Sequence, residues 1–269
     1  MLLVIDAGNT NVVIGLYAGE SLRTSWRLST PATWTADEVG ILLGNLFQLR
    51  GFNLKDVDGV AIASVVPNLN NALRECSVQH LGISPVVIGP GINTGVRILY
   101  ENPREVGADR IANALAAYRK YGGPAIVIDL GTAVTYDAIS ADGSYLGGAI
   151  APGVGISLQA LVDHTARLFR VEIVAPDSVI GRTTVTSIQS GLLWGFVAQI
   201  EGMVKRMTDE LGGTARVIAT GGQASLVSGL THVIEAVDED LTLEGLRLIH
   251  EMNSPLDTGA SAVTTDGAG

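Results

Sequence analysis

The run Leu2–Ile5 is wholly apolar, Val12–Tyr17 is apolar around a single glycine, and a cluster of small and polar residues, Asp6 to Asn11, stands between them. Two such runs flanking turn residues predict a β-hairpin. Trp26–Leu28 is expected to add a third strand. Thr35-Ala36-Asp37-Glu38 has the spacing of a capping box, and Val39, Leu42, Leu43, Leu46 and Phe47 follow at helical intervals, so a helix opens there. Val60–Val65 reads as a strand, Pro67 suits the first turn of a helix reaching about His80, and Pro85–Ile88 reads as a further strand.

The pattern then returns. A helix is expected from about Arg104 to Tyr121, followed by Ala125–Asp129 as a buried strand, a turn at Leu130-Gly131-Thr132, and Ala133–Ile139 as the second arm of a hairpin. Val-Ile-Asp-x-Gly occurs at Val4–Gly8 and again at Val127–Gly131, each time ending one apolar run and preceding another, which points to an internal duplication. A long helix over about Thr184–Leu211, a strand at Arg216–Ala219, a Gly221-Gly222 turn and a helix near Leu241–Glu251 complete the second half. The expectation is an α/β protein of two similar lobes, residues 1–118 and 119–252, each a mixed sheet flanked by helices.

With 47% hydrophobic and 16% charged residues, the chain has the apolar content for well-filled cores. The stretch from Asn253 to Gly269 is the exception: Ser, Thr, Gly, Ala and Asp dominate it, and it is expected to be a frayed tail. A net charge of −10 repels polyanions and anionic membrane surfaces, so neither nucleic acid nor membrane is an expected partner. An anionic small ligand is still admissible, because backbone N–H groups and bound cations act locally. Cys76 is the one cysteine, spaced with Leu69, Ala72 and Leu73 as a core residue; with no signal-like N-terminus, a cytoplasmic location is expected.

No G-x-x-x-x-G-K-[ST] loop, completed G-x-G-x-x-G or G-x-S-x-G elbow occurs, and His80, His164, His232 and His250 lack metal-ligand spacing. The positive signal is Asp6-Ala7-Gly8-Asn9-Thr10-Asn11, where amides and the Thr10 and Asn11 side chains can donate to phosphate oxygens. A carboxylate at Asp6 would repel phosphate unless Mg²⁺ lay between them, held directly or through water. The same residues also make an ordinary hairpin turn. A second copy, Asp129-Leu130-Gly131-Thr132-Ala133, facing the first would clamp a polyphosphate from both sides. Gly221-Gly222 leaves room for a flat ring against the backbone, or simply turns strand into helix. Glu105 and Asp109, four apart on the expected helix, read on spacing alone as a solvated acidic face.

These motifs resemble the actin, sugar kinase and Hsp70 ATPase superfamily. More narrowly, Asp6 to Asn11, Asn102 to Arg110, Asp129 to Ala133, Gly147 to Gly153 and Gln189-Ser190-Gly191 resemble the type III pantothenate kinases, from Met1 to about Glu251. The resemblance implies two RNase H-like (actin-like) lobes with an ATP cleft between them, and phosphorylation of pantothenate at the entry to coenzyme A synthesis. It implies ATP binding by Asp6, Ala7, Gly8, Asn9, Thr10, Asn11, Val12, Val13, Thr132, Gly221 and Gly222. It further implies substrate binding by Tyr100, Gly107, Ala108, Asp109, Arg110 and Thr184, with Asp109 the general base. Asp129 matches a ligand for a monovalent cation, K⁺ or NH₄⁺, with a second Mg²⁺ ligand the alternative; Arg110 suits either an anionic substrate or a neighbouring acid. Thr183 stands where the family often has Asn. A homodimer with its active sites at or near the subunit interface is implied, and the long helix carrying Ile188, Leu192, Leu193, Trp194 and Phe196 could equally be core. The alternatives are another kinase or phosphatase of the superfamily, or a nucleotide-binding regulatory protein without turnover.

Overall fold

The computed structural model describes residues 1–254; the expected tail lies outside them from residue 255 on. The first half opens with β1 (Leu2–Ala7), β2 (Asn11–Ala18) and β3 (Ser21–Ser29), an antiparallel meander. β3 is nine residues long, well beyond the three expected. Helix α1 (Ala36–Leu49) carries the foreseen cap: Thr35 N donates to Glu38 Oε2 at 2.8 Å and Glu38 N to Thr35 Oγ1 at 3.3 Å. Strand β4 (Gly59–Ser64), helix α2 (Pro67–Cys76) and the short β5 (Val86–Val87) follow, β4 and β5 joining parallel to β1. The sheet order is β3-β2-β1-β4-β5.

Helix α3 begins only at Ala108 and runs to Tyr121. Pro103–Glu105 is a separate 3₁₀ turn, because the Asn102 side chain caps it and Gly107 breaks the backbone ahead of α3. Glu105 and Asp109 therefore do not share a helical face, and that expectation is corrected. The second half repeats the first: β6 (Ala125–Leu130), β7 (Ala133–Ile139) and β8 (Tyr145–Pro152) form a meander, then come α4 (Val154–Asp163), α5 (Thr184–Glu210), β9 (Arg216–Thr220), α6 (Ala224–Ser228), β10 (Ala236–Val237) and α7 (Leu241–Asn253). Its order, β10-β9-β6-β7-β8, is the first sheet's strand for strand, with β9 and β10 parallel to β6. Thr183 is the N-cap of α5, accepting from Thr186 N at 3.1 Å, a role that both threonine and asparagine take at helix starts. Gly147 to Pro152, within one of the motifs that carry the resemblance, lies in strand β8 against β7.

Alternation along β1 sends Leu3, Ile5 and Ala7 into a core with α1 and α2, while Val4 faces the opposite core with α3 and α7. In the second sheet Ile126, Ile128 and Leu130 face the α4 and α5 side, and Ala125 and Val127 face α3. Helix α3 is thus buried on both sides, Ala112 and Leu115 toward the first sheet and Ile111, Ala114 and Ala117 toward the second. Small residues let it fit: Gly245 of α7 lies against the Ala112 carbonyl so closely that no Cβ could stand there. Helices α3 and α7 form one layer between the two sheets, and α7 packs on the first sheet although it ends the chain's second half. The expected lobe boundary, 118/119, falls within α3.

Candidate active site

The paired hairpins bring their turns together at one end of this layer, in a cleft of about 590 Å³. Asp6 ends β1, and the chain then turns with Gly8 N donating to Asn11 O at 2.9 Å; Thr30 Oγ1 ties the turn back to Gly8 O at 2.6 Å. Asp129 holds the equivalent place before Gly131-Thr132, where Gly131 N donates to Ala133 O at 3.1 Å. The two turns meet: Thr10 Oγ1 and Thr132 Oγ1 are 2.6 Å apart. Gly153 N closes on Thr132 O at 3.1 Å, and a Cβ on Gly153 would come within 2.5 Å of Gly131 O and Thr132 O. Gly221, at φ +89, lies so close over Asp129 and Leu130 that only glycine fits.

Asp109, in the first turn of α3, completes an acidic floor. Its Oδ1 is buried without a hydrogen-bond partner. Burial, reinforced by the charges of Asp109 and Asp129, pushes the Asp6 carboxyl up to about 8, and the Arg27 guanidinium draws it back only partly. Burial likewise raises Asp129 to about 7, with Asp109 and Asp137 adding to it and Arg27 opposing it. Buried carboxylates that repel one another in this way fit a site completed by cations. Among the described residues no three His, Cys, Asp or Glu side chains are grouped as a metal site. A divalent ion here would therefore take one or two carboxylates with phosphate oxygens and water, as Mg²⁺ ordinarily does.

The cleft gathers Asp6, Gly8, Asn9, Thr10, Asn11, Val13, Asp109, Asp129, Thr132, Gly221 and Gly222. Ala7 and Val12 sit in the core beneath α1 and α2, so only their backbones can face a nucleotide. Tyr100 and Arg110 are not among the residues lining the cleft; Arg110 pairs with the buried Asp137, and the Tyr100 ring packs on Tyr145 of the same cluster. Thr184 lines a different cavity, with Leu161, Leu168 and Ile188. Sequence reasoning missed Arg27, Gln159, Arg170 and Glu239, which also line the cleft. Arg27 carried no signal because it alternates along β3 as any exposed strand residue would.

The family model described as type III pantothenate kinase matches residues 2–206. The type III pantothenate kinase of Moorella thermoacetica is 53% identical over 254 residues, covering 94% of this chain and 100% of the relative. That of an Anaeromyxobacter species, strain Fw109-5, is 53% identical over 253 residues, covering 94% and 100%. Among solved structures, an inorganic polyphosphate/ATP-glucomannokinase from an Arthrobacter species superposes with a TM-score of 0.52 at 17% identity, over 94% of this chain and 99% of that one. The activator of 2-hydroxyisocaproyl-CoA dehydratase from Clostridium difficile, solved with bound ADPNP, gives 0.50 at 14% identity, over 93% and 92%. At such identities these two speak for the fold alone, a two-lobed α/β actin-like architecture.

Proposed function

Because this chain belongs to the type III pantothenate kinase family, we propose that it transfers the γ-phosphoryl group of ATP to the 4′-hydroxyl of pantothenate, giving ADP and 4′-phosphopantothenate, with Asp109 as general base. The observation that carries the base assignment is the buried, unpartnered Oδ1 of Asp109 on the cleft floor, an acceptor free to take the hydroxyl proton. The turn amides around Gly8 and Gly131, with the Thr10 and Thr132 hydroxyls, hold and orient the phosphates, so transfer proceeds by positioning and charge stabilisation without a covalent intermediate. Gly221 and Gly222 leave space for the adenosine beside Asp129. When bound with ATP, Mg²⁺ neutralises phosphate charge and Asp6 anchors it, directly or through water. Asp129 holds the monovalent cation, K⁺ or NH₄⁺.

Tyr100, Gly107, Ala108 and Arg110 receive pantothenate next to Asp109. Thr184 borders its own cavity, and the segment just before it in the chain exposes Val179 and Ile180 at 63% and 79%. That supports a homodimer in which this segment is covered by a second copy. No helix of the described residues is long and apolar enough to cross a membrane; the cytoplasmic location rests on the coenzyme A pathway the family serves.

ADP release measured with ATP, Mg²⁺ and pantothenate, with and without K⁺, tests the reading. Pantothenate-dependent, K⁺-dependent turnover is expected, and its collapse in Asp109→Asn with nucleotide binding retained. ATP binding without pantothenate-dependent ADP would defeat the substrate assignment in favour of a sugar-kinase or regulatory role.

A further inference from the structure

Beneath Arg110 lies a buried polar cluster that the proposed chemistry leaves unused. Asp137, in the middle of β7, is completely buried, and its carboxylate accepts three hydrogen bonds. Arg110 Nε donates to Oδ1 at 2.7 Å, Tyr145 OH donates to the same oxygen at 2.8 Å, and Thr135 Oγ1 donates to Oδ2 at 3.1 Å. Arg110 is itself only 8% exposed, and its guanidinium carbon lies 5.8 Å from the centroid of the Tyr145 ring.

The pairing is incomplete. A side-on fork would engage Nε and Nη2 together, but Nη2 is buried and has no partner. A guanidinium kept only for stability would be poorly served by an orphaned donor, since burial of an unpaired N–H opposes folding. Nη2 packs against the backbone of β8: a Cβ on Gly148 would approach it at 3.0 Å, after first striking the Tyr136 carbonyl of β7. One residue earlier, a Cβ on Gly147 would meet the Tyr100 ring at 3.4 Å, and that ring is tilted against Tyr145 at 6.4 Å. Tyr100, Tyr145, Gly147, Gly148 and Arg110 thus form one contiguous cluster, joined to Asp109 through its chain neighbour Arg110.

We propose that Asp137 is a positioning residue for the acceptor substrate: by holding Nε it fixes the guanidinium plane so that Nη2 is presented to an oxygen of pantothenate beside Tyr100. The inference rests on the reading of Arg110 as a substrate contact. Asp137 touches no reactant. Tyr145 and Thr135 act with it, each fixing one carboxylate oxygen.

The test is steady-state kinetics of the full chain in both substrates, with thermal melting alongside. Asp137→Asn keeps the shape but loses the charge that aligns Nε, and the KM for pantothenate is expected to rise at least about tenfold while kcat and the KM for ATP stay within about threefold. Tyr145→Phe should shift the same constant in the same direction by less. Arg110→Gln separates the two readings. If it leaves the pantothenate KM unchanged, Arg110 is no substrate contact and the premise fails. If it raises that KM while Asp137→Asn lowers only the melting temperature, the premise stands and the positioning role is overturned. Should Asp137→Asn not fold, Tyr145→Phe and Thr135→Val carry the measurement, and an unchanged pantothenate KM in both overturns the proposal.

Discussion

The turn after β1 and the turn after β6 join equivalent strands in sheets of the same order, yet their surroundings differ. The first spans Gly8 to Asn11, closed by a bond from Gly8 N to Asn11 O; the second is shorter, closed from Gly131 N to Ala133 O. Across the hairpin Asp6 pairs with Val13, whereas Asp129 pairs with Thr135. The chain leaving the neighbouring parallel strand passes the first turn as Val65, whose N–H bonds Ala7 O at 3.1 Å. At the second turn it passes as Gly221-Gly222, with Gln223 N on Leu130 O at 3.1 Å. Duplication therefore supplies two similar cradles, and the residues packed on each set them apart.

The largest effect is expected from the group both cradles share. Asp109 raises Asp6 and Asp129 alike, so Asp109→Asn should lower both pKa values while reducing kcat by about 10²–10⁴-fold, with nucleotide binding retained. Turnover together with carboxyl titration followed by NMR checks both halves.

The next pair of variants asks whether the cradles divide their labour. Asp6→Asn is expected to raise the Mg²⁺ concentration needed for half-maximal rate at least about tenfold. Asp129→Asn should shift the K⁺ requirement and leave the Mg²⁺ titration in place. Equal Mg²⁺ shifts in the two variants would break the comparison.

A pH series sharpens it. Without cations the folded chain keeps protons on Asp6 to about pH 8 and on Asp129 to about pH 7, while the same carboxyls in the unfolded chain release theirs near 3.8. The folded state binds more protons across that window, so these two groups make stability fall as pH rises from about 4 to about 8. Mg²⁺ replaces those protons, and the gain in melting temperature on adding Mg²⁺ and ATP should grow from about pH 6 to about pH 8. A gain independent of pH would mean that the carboxyls take no part in cation binding.

Gly221→Ala should cost about 1–3 kcal/mol and weaken ATP, because the residue sits at φ +89 and a Cβ would lie 2.8 Å from the Leu130 backbone. Gly8→Ala is the control: its Cβ would meet only Asn11 O at 3.2 Å, and thermal unfolding should record a smaller loss. The smallest effect belongs to the contact between the turns. Thr10→Ala or Thr132→Ala removes a single 2.6 Å hydroxyl pair, for which about 0.5–1.5 kcal/mol is expected, read as a several-fold change in the KM for ATP.

Much of this was legible in the residues. The hairpins, the Thr35–Glu38 cap and the matching Asp-x-Gly turns follow from apolar periodicity and turn chemistry, which are local and survive in the written order of the chain. The motif in Gly107-Ala108-Asp109-Arg110 also points to its neighbourhood, although apolar spacing alone does not show that Gly107 interrupts the helix. Strands β8 and β10 and helices α4 and α6 were not expected. Gly147 and Gly148 in β8 are matched to what lies opposite them, the Tyr100 ring and the Tyr136 backbone, which no local pattern records.

The sequence by itself determined the repeated strand-turn-strand units, the glycines at the turns and the roster of acids and hydroxyls. Only the tertiary structure decided that α3 and α7 would lie between both sheets, that Arg110 would pair with Asp137, that Thr184 would border a separate cavity, and that burial would raise the Asp6 and Asp129 carboxyls. The reason is physical: periodicity depends on neighbours along the chain, whereas desolvation, charge repulsion and the fit of a Cβ depend on groups brought close in space from anywhere in it.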